Sequence, residues 1–327
     1  MNHKAISLLS GGLDSTLATK VVLNQGIDVI GLHFSMPWGC CDRTAAYTTA
    51  KLFGIPIMVF KMGEDYLDVI RSPKYGYGRA MNPCVDCRIH MYGKAKRYME
   101  EIGASFLITG EVLGQRPKSQ MRESLKTIER DCDLEGLILR PLSAHVLDPT
   151  LPELEGIVDR SKLLGISGRS RQMQMALAEE EGIRNYPTPA GGCLLTDDSF
   201  SRRVKDLLDH AAHPTIEEME LLRIGRHFRL NPATKLIVGR NEPENHLLEY
   251  YATEHLLFEP VDFPGPSTLV IGTMDAQSER AVTSVTLRYG TPGEEKREAV
   301  LFSCRGEKRI LNAAQLFIEE DLERMRF

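Results

Sequence analysis

Short apolar runs and longer segments with helical spacing alternate over the first 150 residues. The apolar runs predict five strands, at residues 5–9, 27–34, 55–60, 105–109 and 137–142. The segments that separate them predict helices at 14–25, 43–53, 64–71, 86–102 and 119–130. Strands that alternate with helices form βαβ units around a parallel sheet. We therefore expect an α/β domain with a parallel sheet and helices on both of its faces.

The pattern changes after a Pro- and Gly-rich stretch, RNYPTPAGGCLLTD, at residues 184–197. A polar helix at about 199–210 follows it, and the elements beyond residue 215 are shorter and mixed. Strands are predicted near 226–238, 267–272 and 299–304, and helices near 243–256, 276–287 and 313–325. The 327 residues suffice for two domains. We expect the α/β domain at 1–208 and a smaller α+β domain at 209–327.

The sequence SGGLDS follows the first predicted strand and opens the first helix. Glycines at such a turn let the backbone approach an anion, and the N–H groups of a helix N-terminus favour phosphate. The candidate nucleotide-binding residues are Ser10, Gly11, Gly12, Leu13, Asp14 and Ser15. An acid beside phosphates is explained by a Mg²⁺ ion between them. The alternative is a plain turn in which Asp14 or Ser15 caps the helix.

Composition and charge narrow the class of protein. The longest apolar runs are far shorter than the ~18 residues of a membrane helix, so no membrane partner is expected. Seven cysteines, several in tight clusters, favour functional thiols in a reducing compartment, and we expect a cytoplasmic protein. Residues 71–130 carry 12 Lys/Arg and 6 acids in a chain of net charge −5. This asymmetry indicates either a basic face for phosphates or an ordinary solvated surface.

Three cysteines form the second candidate site. Cys84 and Cys87 lie in NPCVDCR, where a helix begins beside Arg88, and Cys193 lies far downstream. A helix N-terminus and a neighbouring arginine both favour a thiolate. The residues allow a structural zinc site with Cys40 or Cys41 as fourth ligand, a redox or persulfide-forming pair, or an iron–sulfur cluster with one open iron. Cys132 and Cys304 are interpreted as incidental.

SGGLDS resembles the phosphate loop of the ATP pyrophosphatase (PP-loop) superfamily and lacks the lysine of a Walker loop. That resemblance implies cleavage of ATP between its α and β phosphates and transfer of AMP to a substrate oxygen. A nucleophile then displaces AMP.

Longer stretches resemble PP-loop tRNA thiolases. GYGRAMNPCVDCR is similar to the first-cysteine segment of tRNA 2-thiouridylases, in which an acid usually replaces Cys84. ITGEVLGQRPKSQ, LILRPL and YPTPAGGC are similar to tRNA 4-thiouridine synthases. The resemblance implies an ATP-dependent tRNA-uridine sulfurtransferase with Asp14, Cys87 and Cys193 as catalytic residues. It also implies a [4Fe–4S] cluster on Cys84, Cys87 and Cys193, with the two-cysteine persulfide chemistry as the alternative.

The same resemblance suggests further site residues and partners. His33 and Phe34 end a strand where related folds contact adenine, although simple packing is an equal explanation. Thr109, Gly110 and Glu111 end another strand, and Gln115 follows; the backbone there is expected near the ribose or AMP. Arg140 is expected near the phosphates. Arg116, Lys118 and Arg122 are candidates for tRNA phosphates. The implied sulfur donor is a cysteine desulfurase or a small sulfur carrier.

The C-terminal part carries a second, shorter resemblance. KLIVGRNEPENH at 235–246 and FPGPSTLVI at 263–271 are similar to the RNA-binding domain of NFACT-type proteins. Residues 201–327 contain 17 Lys/Arg and 21 Asp/Glu, so any RNA contact should be local, for example through Arg240. A dimerisation or docking module is the alternative for this domain. For the whole chain, the alternative function is a zinc-containing PP-loop ligase that forms an amide or nitrile on a small nucleobase-like substrate.

Overall fold

The computed structural model describes residues 3–38, 43–184, 186, 192–253, 255–261, 263–290, 299–304, 307–312 and 324–327. It divides into two compact units, Met1–Asp197 and Asp198–Phe327. Among the described residues, no helix has both the length and the apolar character needed to cross a bilayer.

The first unit is built on a five-stranded parallel sheet. Its strands are β1 (Lys4–Leu8), β2 (Asp28–Ser35), β3 (Ile57–Lys61), β4 (Phe106–Ile108) and β5 (Ile138–Leu139). Their order across the sheet is β3-β2-β1-β4-β5. The predicted α/β class is confirmed. The strand order reverses beside β1, and ligands bind at such a point in open α/β sheets.

Helices flank this sheet and cover its apolar side chains. They are α1 (Leu13–Leu23), α2 (Arg43–Phe53), α3 (Asp65–Arg71), α4 (Cys84–Glu101), α5 (Arg122–Asp131), α6 (Leu151–Leu154) and α7 (Gln172–Glu180). Leu17 and Val22 of α1 are fully buried in one core with Phe106 and Ile108 of β4. The buried Thr19 hydroxyl bonds the Ser7 hydroxyl of β1 at 2.7 Å, so even the polar face of α1 is anchored to the sheet.

Two helix starts differ from the prediction. α4 begins at Cys84, with Pro83 as its N-cap, so both neighbouring cysteines lie in the first turn. α5 begins at Arg122 because residues 114–120 close a separate turn, in which the Gly114 N–H donates to the Gln120 carbonyl.

The second unit is a six-stranded antiparallel sheet with helices, as the predicted α+β class requires. Its strands are β6 (Arg226–Asn231), β7 (Thr234–Val238), β8 (Leu256–Pro260), β9 (Thr268–Gly272), β10 (Ala299–Cys304) and β11 (Glu307–Asn312), in the order β11-β10-β8-β9-β7-β6. Its helices are α8 (Asp198–His210), α9 (Ile216–Leu221), α10 (Glu242–Tyr251) and α11 (Ala276–Arg288). The strand predicted near 226–238 is a hairpin of β6 and β7. The helix predicted at 313–325 lies mostly outside the described residues.

Helix α8 belongs to the second compact unit, whereas the sequence placed the domain boundary after residue 208. Its Asp206 carboxylate accepts hydrogen bonds from Arg229 of β6 and Lys235 of β7. These buried polar contacts fix α8 to the antiparallel sheet, so the compact unit starts at Asp198.

Candidate nucleotide and cysteine site

The glycine loop lies at the carboxyl end of β1. Gly11 has a φ of 81°, and Gly12 is the N-cap of α1. The Ser10 and Ser15 hydroxyl oxygens are 3.1 Å apart, and the Ser15 hydroxyl donates to the Gly12 carbonyl at 2.9 Å. The first N–H groups of a helix have no partner within the helix, and they carry partial positive charge. The predicted phosphate loop therefore has the backbone that an anion site requires.

Gly110 brings the loop after β4 directly onto the first turn of α1. A Cβ atom on this residue would lie 2.4 Å from the Ser15 backbone nitrogen and 2.6 Å from the Ser15 Cα. Only glycine permits this approach without movement of the backbone. The contact joins the two loops on either side of the point where the strand order reverses.

Two successive side-chain hydrogen bonds orient the Asp14 carboxylate. Its Oδ2 accepts a hydrogen bond from Gln115 Nε2 at 2.7 Å, and Gln115 Oε1 accepts one from Gln174 Nε2 at 3.1 Å. Arg171 Nη2 lies 3.9 Å from the same Asp14 oxygen. The buried Oδ1 of Asp14 has no hydrogen-bond partner among the described residues. This oxygen is the atom that a bound cation could use, which fits the Mg²⁺ expected beside the loop.

Arg171 and Gln174 were not among the predicted site residues. Their sequence signal is weak: an arginine in a Gly/Ser-containing turn before α7, and a glutamine within that helix. Both reach the site through contacts that no spacing rule reveals.

Cys84 and Cys87 lie in the first turn of α4, and both are partly buried. The Cys84 thiol donates to Asn82 Oδ1 at 2.7 Å. Burial raises the pKa of Cys87 to about 12, against the opposing effects of a Tyr66 hydrogen bond and the Arg88 charge. Burial likewise raises the pKa of Cys84. The charge of Arg88 opposes this rise, and the charges of Lys118 and Arg116 oppose it to a smaller extent. Both cysteines are therefore thiols near neutral pH in the protein alone.

Cys193 is part of the same site. It precedes a short 3-10 turn, Leu194–Thr196, and is partly buried. Its charge raises the pKa of both Cys84 and Cys87, so the three sulfur atoms lie within electrostatic range of one another. Within the described ranges, no three histidine, cysteine or acidic side chains are arranged around one metal-ion position.

The other cysteines have different surroundings. Cys40 and Cys41 lie outside the described residues. Cys132 is buried, and its thiol donates to the Ile89 carbonyl at 3.4 Å. Cys304 lies in β10 of the second unit.

Glu111 connects the glycine loop with the cysteine helix. Its carboxylate is almost fully buried, 3.1 Å from Arg140 Nε and 3.3 Å from Arg88 Nε. Burial alone would raise the pKa of Glu111, but the Arg88 and Arg140 guanidiniums outweigh it and hold that pKa below its usual range. Arg140 also pairs with Glu129, so two carboxylates use the guanidinium that was expected near the phosphates. Since Gly110 contacts Ser15, two consecutive residues link both candidate sites.

The candidate adenine contacts lie inside the domain. His33 is 1% exposed, and its Nδ1 is 2.9 Å from the Leu9 carbonyl oxygen. Phe34 is also buried and packs edge-to-face on Phe60. Thr109 is buried, and its hydroxyl donates to Glu111 Oε2 at 3.4 Å. The packing role considered for His33 and Phe34 thus has direct support, while an adenine contact stays a prediction.

The three candidate RNA-binding cations differ in availability. Lys118 Nζ donates to the Tyr75 and Gly76 carbonyls at 3.1 and 2.7 Å, so it fixes the Gly- and Tyr-rich loop before the cysteines. Arg122 Nη2 donates to the Val146 carbonyl at 2.6 Å and remains exposed. Arg116 is exposed on the turn beside Gly192. Of the three candidates, Arg116 therefore combines an exposed side chain with a position beside the cysteines.

The VGRN turn of the second unit is organised by Asn245. A Cβ on Gly239 would lie 2.0 Å from Asn245 Oδ1, so this position requires glycine. Asn245 accepts from the Ser267 N–H at 3.1 Å and donates to the Gly265 carbonyl at 3.3 Å. Arg240, the proposed RNA contact, pairs with Glu244. The two hydrogen bonds of Asn245 thus connect the VGRN turn with the Pro-Gly-Pro loop at residues 264–266.

A parallel sheet with a glycine loop at its strand-order reversal, and with three thiols near that edge, defines an α/β nucleotide-binding protein with a cysteine site. Residues 1–146 match the family model described as "Thiamine biosynthesis protein (ThiI)". Residues 225–324 match the model described as "NFACT protein RNA binding domain". Both resemblances inferred from the sequence motifs are confirmed.

Curated relatives include tRNA-specific 2-thiouridylases named MnmA. The protein from Clostridioides difficile (strain 630) is 27% identical in an alignment of 227 positions that covers 63% of this chain and 59% of the relative. The protein from Micrococcus luteus is 24% identical in an alignment of 330 positions that covers 92% of this chain and 81% of the relative. The chain therefore spans less than two thirds of the length of the Clostridioides protein.

Two solved structures are also similar. One is the U34-tRNA thiolase NcsA from Methanococcus maripaludis with its [4Fe-4S] cluster, at 19% identity and a TM-score of 0.35, covering 68% of this chain and 72% of that one. The other is a 4-thiouridine synthetase–RNA complex with bound ATP, at 20% identity and a TM-score of 0.38, covering 67% of this chain and 52% of that one.

Proposed function

We propose that the protein is an ATP-dependent tRNA-uridine sulfurtransferase. The observation that carries this proposal is the Gly110–Glu111 dipeptide. Gly110 packs on Ser15 of the phosphate loop, and Glu111 pairs with Arg88, which follows Cys87 in the cysteine helix. A nucleotide site and a thiol site joined in this way suit a reaction in which ATP activates a carbon that sulfur then attacks. The MnmA relatives are named for this type of chemistry.

In the first step, the uridine carbonyl oxygen attacks the α-phosphorus of ATP, and the bond to the β-phosphate breaks. The Ser10 and Ser15 hydroxyls and the N–H groups of the first turn of α1 bind the departing pyrophosphate. Arg171 lies close enough to Asp14 to add positive charge at the same place. A magnesium ion held by Asp14 Oδ1 would screen the phosphate charges. Gln115 and Gln174 keep the Asp14 carboxylate in one orientation.

In the second step, a sulfide-level sulfur attacks the activated carbon and loses its proton as the carbon–sulfur double bond forms. The bond between that carbon and the adenylated oxygen breaks, and AMP leaves with the bonding electrons. Cys84, Cys87 and Cys193 influence one another's ionisation, as side chains of one site do. Their burial disfavours free thiolates, whereas a bound iron atom favours them. Three cysteine thiolates are the donor set that an iron–sulfur cluster with one open iron would use. When bound, such a cluster would present sulfide at its open iron.

The substrate is expected to approach over the edge that carries these residues. Arg116 is exposed beside the cysteines and can hold an RNA phosphate without reading sequence. The match of residues 225–324 to an RNA-binding domain supports tRNA as the substrate. The sulfur is proposed to come from a cysteine desulfurase or a small sulfur carrier protein.

Nucleoside mass spectrometry of tRNA tests this function. A strain that lacks the gene should lose one thiouridine, and the wild-type gene should restore it. Asp14→Asn, Cys87→Ser and Cys193→Ser should each fail to restore it. Cys132→Ser serves as the matched control, because Cys132 is a buried cysteine outside the proposed set of three and its thiol donates to the Ile89 carbonyl. Cys84→Ser distinguishes the chemistries, since three-cysteine cluster binding requires it and a persulfide pair does not. Unchanged thiouridine levels in the deletion strain would refute the assignment.

A further inference from the structure

The second unit contains a cavity of about 190 Å³ whose role the proposed thiolation does not involve. Its wall is formed by α8, α9 and the β6–β7 hairpin, with apolar contributions from Leu207, Leu221 and Ile237. His210, Glu218, Arg229 and Lys235 add polar groups to the same wall. A water molecule needs about 10–15 Å³ of such space, so the cavity has room for a small polyatomic ion.

A single buried carboxylate supports the cationic side of this cavity. Arg229 donates to both oxygens of Asp206, at 2.8 and 2.7 Å, and Lys235 Nζ donates to Asp206 Oδ2 at 2.9 Å. The side chains of Lys235 and Asp206 are only 5% and 4% exposed. An ammonium group has three N–H donors, and Asp206 occupies one of them.

The charge around Asp206 is unbalanced toward the positive side. Burial alone would raise the pKa of Asp206, but Arg229 and Lys235 hold it below its usual range, so the carboxylate is ionised at neutral pH. Burial lowers the pKa of Lys235, and the charges of Arg229 and Arg203 lower it further, against the opposing effect of Asp206. A buried cation that is incompletely compensated is costly, and an added anion would relieve this cost.

The remaining titratable groups of the wall are Glu218 and His210. With the Glu218 carboxylate included, the three cations Arg229, Lys235 and Arg203 still outnumber the two carboxylates, Asp206 and Glu218. Glu218 is partly exposed, and its carboxylate accepts the Thr215 N–H at 2.9 Å in the capping box of α9. His210 Nδ1 lies 2.8 Å from the Asp206 carbonyl oxygen and 3.4 Å from its carboxylate. The aromatic ring of Phe327 lies 5.5 Å from Lys235 Nζ.

We propose that this cavity binds a phosphate group, held by the Lys235 ammonium and the Arg229 guanidinium. Phosphate offers several acceptor oxygens to the donors that Asp206 leaves, and its negative charge neutralises the cluster. The volume of about 190 Å³ suits inorganic phosphate or the phosphate end of a small ester. The site lies within the second unit and is independent of the phosphate loop.

Hydrogen exchange with mass spectrometry tests the proposal on the full-length protein, because it reports each peptide separately and is not confused by phosphate at the first unit. Sodium phosphate is titrated to millimolar concentrations at constant ionic strength, with sodium chloride as the reference. Phosphate at ten times its dissociation constant should slow exchange about tenfold in peptides that cover 203–211 and 227–237, where exchange requires local opening. Glycerol 1-phosphate in a parallel titration distinguishes an ester from the free ion.

Lys235→Met keeps the length of the side chain and removes its charge, and it should abolish the protection. Arg240→Gln is the matched control, because Arg240 is an exposed cation of the same unit and is paired with Glu244 outside the cavity. If Lys235→Met fails to fold, a comparison of anions in the wild-type protein decides: sulfate should protect the same peptides as phosphate, and chloride should not. Protection that is absent, equal in Lys235→Met, or equal with chloride would overturn the proposal.

Discussion

Replacement of Gly110 by alanine tests the contact between the phosphate loop and the loop after β4. The new Cβ would lie 2.4 Å from the Ser15 nitrogen, whereas non-bonded heavy atoms prefer about 3.5 Å. One of the two backbone segments must therefore move by about 1 Å. Because the Ser15 backbone starts the helix that holds the phosphates, this displacement changes the geometry of the nucleotide site itself.

The expected loss is larger in activity than in stability. Overpacking of this kind costs about 1–3 kcal/mol of the free energy of unfolding, which urea denaturation measures. A 1 Å misplacement of a reacting group costs about a hundredfold in rate, so ATP-dependent tRNA thiolation should fall by that factor. Gly93→Ala is the control, because its Cβ meets no atom within 4 Å and the helix gains about 0.5–1 kcal/mol. Wild-type activity and stability in Gly110→Ala would contradict the proposed contact.

Three further predictions concern charge and hydrogen bonding. Arg88→Gln should raise the pKa of Cys84, because Arg88 opposes the effect of burial, and alkylation of Cys84 should shift to higher pH. Asp206→Asn should destabilise the second unit by about 3–5 kcal/mol, since it leaves buried cations unpaired. The folded-state pKa of Asp206 is depressed, so its stabilisation is present above about pH 4 and is lost as the pH falls through that lower pKa. Urea titrations should therefore show a smaller difference in the free energy of unfolding between variant and wild type at pH 3 than at pH 7. Asn245→Ala should cost about 1–3 kcal/mol by orphaning the Ser267 N–H, measured by thermal unfolding against Arg240→Gln, whose exposed pair contributes under about 1 kcal/mol.

The sheet of the first unit was predictable because each of its strands is a short apolar run between turn residues. The position of SGGLDS at a strand end also follows from this local pattern. The strands β8 and β11 escaped prediction for a local reason. The apolar part of β8 is only three residues long, and β11, EKRILN, begins with three polar residues.

The partners of the charged residues were not predictable from the sequence. Lys118 was expected to bind RNA, but its ammonium holds the carbonyls of a loop 42 and 43 residues earlier. Arg140 was expected near phosphates and pairs with Glu111 and Glu129. Such pairs form between elements that are distant in sequence, and their geometry depends on how the helices pack on the sheet. Charge counts identify a basic segment but do not reveal which of its cations the fold already uses.

Glu111 shows how ion pairs that the fold already uses bear on the candidate site. Its buried carboxylate faces two guanidiniums, so removal of its charge would leave Arg88 and Arg140 facing each other without the acid that separates them. The next residue toward the N-terminus, Gly110, has no freedom to move closer to Ser15. The dipeptide that packs on Ser15 through Gly110 thus also carries the carboxylate that pairs with Arg88. Because the Arg88 charge opposes the rise that burial causes in the pKa values of Cys84 and Cys87, we expect a change in the Glu111–Arg88 pair to alter the ionisation of both thiols.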